Sequence, residues 1–173
     1  MHEAEDASRD RARLVVTSRG FRERRAWQAL KSALPESWLE GSGFRGVLLV
    51  EATGDPLALA ARVAQECGEA VGHVTPILAE VETDVGAIRE AAAEVARTHV
   101  GAGQSFCFRM HRRGWSLPQR EAAQLEREIG GAVFAALERR HGARPAVDLE
   151  DPDVTVVAEV LGRRTAIGVV RKS

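Results

Sequence analysis

The stretch Phe106-Cys107-Phe108-Arg109-Met110-His111-Arg112-Arg113-Gly114-Trp115 carries more information than any other part of the chain. Ser105 to Met110 reads as a strand with Phe106 and Phe108 on one face, although Cys107 and Met110 do not fully obey the alternation. His111 to Trp115 then reads as a loop. Arg109, His111, Arg112 and Arg113 thus stand at or just beyond a strand end, where side chains can leave a sheet and meet a ligand. Arginine forks suit phosphates, and Trp115 offers an aromatic face to an unpaired base. A second reading has equal weight at this point, in which Arg112 and Arg113 solvate a turn and Trp115 covers the core. Trp27 and Trp38 are assigned to packing.

Downstream of this stretch, Ser116 and Pro118 start the longest helix, whose buried stripe runs through Ala122, Leu125, Ile129, Val133 and Leu137. Gly142 is its C-terminal stop. Gly130-Gly131 inside that helix costs ~1 kcal/mol per glycine relative to alanine if exposed, so close packing of another element against this backbone is expected. Arg139, Arg140 and Arg144 near the helix end suit the negative end of the helix dipole as well as RNA, and are read as auxiliary contacts. Ala146 to Leu149, Val154 to Leu161 and Thr165 to Val170 are extended, the last two joined by a turn at Gly162-Arg163. Between the first two lies the acidic turn Asp148-Leu149-Glu150-Asp151-Pro152-Asp153. Its carboxylates can hold Mg²⁺, but aspartate and proline at such a turn more often bond nearby backbone groups and set strand register, and that role is preferred.

Working upstream, Thr83 or Asp84 caps a helix from Val85 to about Thr98, ended by Gly101 and Gly103. Further back, a strand at Leu14 to Thr17, a helix from Glu23 to Leu34 and a strand at Gly46 to Glu51 form a βαβ-like unit. Asp55 caps a helix opened by Pro56, and Val71 to Val81 is a strand interrupted by Pro76. This N-terminal part resembles a small ferredoxin-like sheet with helices on one face. The whole is α/β with a mixed sheet. The expected division is a flexible polar leader over residues 1–13, a ferredoxin-like domain over 14–82 and a second domain over 83–173, the two domains packed closely.

Composition narrows the function by exclusion. With 45% apolar residues the 173-residue chain can bury a core. Its apolar runs are far shorter than the ~20 residues that span a bilayer, and Met1 to Arg13 lacks the apolar stretch of a secretory signal, so the expected location is cytoplasmic. Cys67 and Cys107 have neither zinc-site spacing nor disulfide density, and read as buried apolar residues. The formal charge of −1 is uneven: residues 1–103 carry 12 basic and 16 acidic side chains, residues 104–173 carry 12 and 9, so a polyanion is expected on the C-terminal part. Lys31 and Lys172 are the only lysines and neither follows glycine, which excludes a P-loop. Gly101-Ala102-Gly103 precedes a strand where a dinucleotide fingerprint follows one, and the five histidines make no metal pair. No catalytic residue, metal or cofactor is assigned.

Phe108-Arg109-Met110-His111-Arg112-Arg113-Gly114, Glu128-Ile129-Gly130, Val147 to Asp153 and Thr165-Ala166-Ile167-Gly168, taken in that order, resemble the THUMP domain. Upstream, Val16-Thr17-Ser18-Arg19-Gly20 and Arg22-Glu23-Arg24-Arg25-Ala26 resemble the start of stand-alone members that act as tRNA cytidine-acetylation adaptors. The resemblance implies an N-terminal ferredoxin-like domain joined to a THUMP domain, recognition of the tRNA acceptor end, and a catalytic module elsewhere. No methyltransferase, thiouridylase, deaminase or pseudouridine synthase region accompanies the THUMP-like part before Ser173, so the enzyme is expected to be a separate RNA cytidine acetyltransferase using acetyl-CoA and ATP. A sulfur- or methyl-transfer partner, or a protein-interaction role without RNA, are the alternatives. The near absence of lysine departs from no motif, but leaves arginine to supply the positive charge.

Overall fold

The computed structural model describes residues 11–173, so residues 1–10 of the expected leader lie outside the described residues. The chain divides into two compact units between Ile77 and Leu78.

In the first unit the strands are β1 (Arg11–Ser18), β2 (Trp38–Gly41), β3 (Val47–Thr53) and β4 (Val71–Pro76). The helices are α1 (Glu23–Ala33) and α2 (Pro56–Glu66). The sheet order is β2-β3-β1-β4, antiparallel throughout, which with the βαββαβ chain order is the ferredoxin-like arrangement. Alternation along β1 sends Ala12, Leu14 and Val16 into a core shared with Leu30, Leu48, Val50, Val63 and Val71. The Asp55 carboxylate accepts the Ala58 N–H at 2.8 Å and Pro56 opens α2, as the residues before it require.

Three features of this unit differ from what the residues alone indicate. Arg11 to Arg13, read as leader, are the start of β1, held by pairing with Glu51 to Thr53. The four-residue strand β2 has no counterpart among the expected elements. Trp38 is 68% exposed and Trp27 38% exposed, so neither is a core tryptophan; the buried neighbours are Leu39 and Ala26.

The second unit holds β5 (Ala79–Glu82), β6 (Ser105–Arg113), β7 (Ala146–Val147), β8 (Val154–Leu161) and β9 (Arg164–Arg171), with α3 (Val85–His99) and α4 (Gln119–His141). Strand order is β5-β9-β8-β6-β7; β8 is parallel to β6 and antiparallel to β9, so this sheet is mixed. What reads as one strand from Val71 to Val81 is two, β4 and β5, in different sheets. Past Pro76, Ile77 N–H still bonds Arg13 O of β1, and Leu78 N–H bonds Ile167 O of the second sheet, so the chain leaves one ladder for the other between these two residues. Residues 78–82 thus belong with the second unit. Helices α3 and α4 pack on each other and on the sheet. The expected close approach at Gly130-Gly131 is not seen: a Cβ on Gly130 would make an ordinary contact with the Cβ of Phe108 at 3.7 Å, and one on Gly131 would face open space. Cys67 and Cys107 are both buried and free.

Candidate nucleic-acid interface

Strand β6 does not end at Met110. It continues to Arg113 because β8 offers a parallel partner at every step, from Phe106 opposite Val154 to Arg113 opposite Leu161. His111, Arg112 and Arg113 are therefore strand residues and not the loop the residues alone indicated. The pleat separates them: His111 and Arg113 share one face, and Arg112 lies on the other with Met110.

Glu159 decides what His111 and Arg113 do. It sits opposite His111 on β8 with its side chain 0% exposed. Its carboxylate accepts from His111 Nδ1 at 3.1 Å and from an Arg113 guanidinium nitrogen at 2.7 Å. Since a carboxylate only accepts, Nδ1 carries the ring proton. Burial pushes the Glu159 carboxyl upward, but the bonds and charges of His111 and then Arg113 outweigh it and hold the group below the usual carboxylate range. His111 and Arg113 are thus engaged in satisfying a buried anion, which limits what they can offer a phosphate.

Arg112 is freer: its guanidinium donates to Trp115 O at 3.3 Å and makes no ion pair among the described residues. Trp115 is half-buried. The β8–β9 turn comes to the same end of the sheet, Gly162 N–H bonding Arg113 O at 2.7 Å. It presents Arg163, exposed and without an ion pair among the described residues. The sequence shows Arg163 only as a turn residue; the signal available was its place directly after β8, which ends beside β6. Arg112, Arg163 and Trp115 form the cationic and aromatic end of this unit.

Arg109 has a different task. It donates to Leu149 O at 2.6 Å and meets Glu126 at 3.4 Å, tying the acidic turn and α4 to β6. Arg139 and Arg140 are exposed on the last turn of α4, and the Arg144 guanidinium lies 5.8 Å from the Phe134 ring centroid. Helix α4 runs back from the end of β6, so these three lie at the opposite end of the unit from Arg112, ~25 Å away at 3.3 Å per strand residue. The eight residues expected to meet RNA therefore do not form one site.

The acidic turn is a bracket. Asp148 Oδ1 accepts the Glu150 and Asp151 N–H groups, which stops β7 after Val147. Asp153 Oδ2 accepts Ser105 N–H at 2.8 Å, and Ser105 Oγ accepts Asp153 N–H in return. These backbone bonds hold both carboxyls below the usual range. A lowered folded value means that their stabilisation is complete above the unfolded value of about 4 and is lost as pH falls through the folded value. The double variant Asp148→Asn/Asp153→Asn should consequently melt lower than wild type near neutrality, with the gap closing on acidification; a constant gap in thermal melts across this range would remove the bracket from the account.

Residues 82–170, just over half of the chain, match the family model for the THUMP domain. The chain belongs to the THUMP domain family. No curated protein sequence matches it. Its fold is similar to PH1313 from Pyrococcus horikoshii Ot3, with a TM-score of 0.62 and 16% identity over 92% of this chain and 54% of that one. It is similar to TrmN from Thermus thermophilus, with a TM-score of 0.61 and 20% identity over 92% and 45%. A third is a 4-thiouridine synthetase solved in an RNA complex with bound ATP, with a TM-score of 0.63 and 11% identity over 92% and 41%. At these identities the likeness is one of fold, and the chain spans about half or less of each. The THUMP match coincides with the second unit from the end of β5 into β9, and so contains the Arg112–Arg163 end, the Glu159 cluster and the Ser105–Asp153 bracket.

Proposed function

We propose that this THUMP protein binds tRNA and presents it to a separate RNA cytidine acetyltransferase for acetylcytidine formation, without catalysing the transfer itself. The observation that carries the RNA-binding part is the family match together with a two-unit fold that recurs in a 4-thiouridine synthetase–RNA complex. Chemistry supports it, since Arg112 and Arg163 are cations without ion pairs among the described residues, beside a half-buried tryptophan, a set that suits phosphates and an unpaired base. The acetylation partner rests on the resemblance of Val16 to Gly20 and Arg22 to Ala26 to adaptor proteins. A sulfur- or methyl-transfer enzyme is the alternative partner, favoured by the thiouridine synthetase and TrmN among the similar folds.

Nucleoside analysis of tRNA from cells lacking the gene tests the reading. Acetylcytidine is expected to disappear and to return with the wild-type gene. Loss of a thiolated or methylated nucleoside would transfer the assignment to the alternative partner, and an unchanged profile would end the adaptor reading. In vitro, the purified chain with acetyl-CoA, ATP and tRNA should give no product until the acetyltransferase is added. The protein is expected to act in the cytoplasm.

A further inference from the structure

The turn between β1 and α1 is unusual among the described residues. Phe21 adopts φ 58°, the only non-glycine residue there with positive φ, a conformation that bulky L residues rarely take. The surroundings hold it in place. Arg19 donates from its guanidinium to Gly68 O at 2.9 Å and to Val71 O at 3.3 Å, and from its N–H to Ala70 O at 2.9 Å. Ser18 N–H bonds Gly46 O at 2.8 Å, and the Glu23 carboxylate accepts Gly46 N–H. So many anchors do not serve to bury the ring, because Phe21 is 62% exposed. It leans on Gly46, where a Cβ would come within 2.8 Å of Phe21 Cδ1, and the Arg45 guanidinium carbon stands 4.8 Å from the ring centroid.

A second observation comes from beneath the ring. Ser18 is only 8% exposed and its Oγ has no hydrogen-bond partner, alone in this among buried side-chain polar atoms of the described residues. It lies 3.4 Å from the point where a Gly46 Cβ would stand, and so faces the same notch as Phe21. Buried hydroxyls are ordinarily satisfied, and this one is left for an incoming polar group. Around the loop, Arg22, Arg24 and Arg45 make no ion pair among the described residues.

Building on the reading that the protein binds tRNA, we infer that this loop is a separate RNA contact in the first unit. An unpaired nucleotide stacks on the open face of Phe21. Arg22, Arg24 and Arg45 meet its flanking phosphates, and Ser18 Oγ gains a bond to its sugar or base edge once the ring turns aside. A single exposed ring among three cations fits a nucleotide better than an apolar peptide, which needs a continuous apolar groove.

Titration of the full chain with whole tRNA, with melting curves alongside, tests this. Phe21→Gly removes the ring and relaxes the positive φ, so melting should be unchanged or raised while affinity falls about ten-fold, the effect of one stacked base. Phe21→Asn, which also tolerates positive φ, should behave likewise, and Phe21→Trp should keep affinity. Crosslinking of 5-bromouridine-substituted tRNA should label the peptide containing Phe21. If wild type binds tRNA and both Phe21→Gly and Phe21→Asn bind it equally well, this inference falls and the proposed function stands; if wild type does not bind tRNA, both fall. Variants that keep tRNA affinity but lose stimulation of the acetyltransferase would make the loop a protein contact and overturn the inference.

Discussion

Arg113→Ala is expected to destabilise the protein by about 3 kcal/mol, the usual loss when one partner leaves a buried ion pair and strands the other. For a chain of this length that is a fall of roughly 6–12 °C in melting temperature. The stranded group is the Glu159 carboxylate, fully buried and left with His111 beside it. Adding Glu159→Gln to Arg113→Ala should recover part of the loss, since the amide keeps the shape without the charge, and a double-mutant cycle measures this coupling. The pH dependence follows from the direction of the Glu159 shift. Its folded value is below the unfolded one, so its stabilisation is complete above about pH 4–5 and lost as pH falls through the folded value. If Arg113→Ala melted like wild type but bound tRNA weakly, Arg113 would belong to the RNA surface and not to the sheet.

Arg112→Ala combined with Arg163→Ala should do the reverse. Neither arginine makes an ion pair among the described residues, so the melting curve should stay within a degree or two of wild type, as for substitutions away from buried networks. Affinity for tRNA should fall by roughly ten-fold per arginine, the worth of a charge-assisted hydrogen bond. The slope of log affinity against log salt should flatten by about one unit for each phosphate that is no longer neutralised. Lysine at position 112 should restore the slope better than the affinity, because it returns charge without the fork. Full tRNA binding by the folded double variant would take this end of the THUMP domain out of the interface.

The elements that are legible in the sequence are those whose pattern is local. The stripe along α4, the Asp55-Pro56 start of α2, the stop at Gly142 and the strands β8 and β9 all declare themselves through spacing or capping chemistry. What escapes depends on partners distant in sequence. β2 is four residues with a single buried side chain, Leu39, too short for its alternation to register. His111 to Arg113 resemble a loop because the residues are polar, yet β8 supplies their ladder. Glu159, in the apolar run Val154 to Leu161, carries no local mark of its role, which exists only because the register sets it opposite His111. The same partnering leaves Arg112 as the cation at that strand end with no carboxylate to neutralise it among the described residues, a distinction that adjacency in sequence conceals.

Strand order has a further consequence, for the time course of folding during synthesis. The first unit has every strand it needs once Pro76 has been made, and its sheet can close while the rest of the chain is still being added. The second cannot, because β9, its last strand, lies between β5 and β8. Until residues 164–171 emerge, β5 has no neighbour and Ala79 waits for Ile167, whereas Phe106 waits only for Val154 of β8. Such distant pairings must close long loops before any ladder bond compensates, which makes them slow. Ribosome-bound chains ending before residue 164 should therefore hold a protease-resistant first unit and a second that is still open to cleavage.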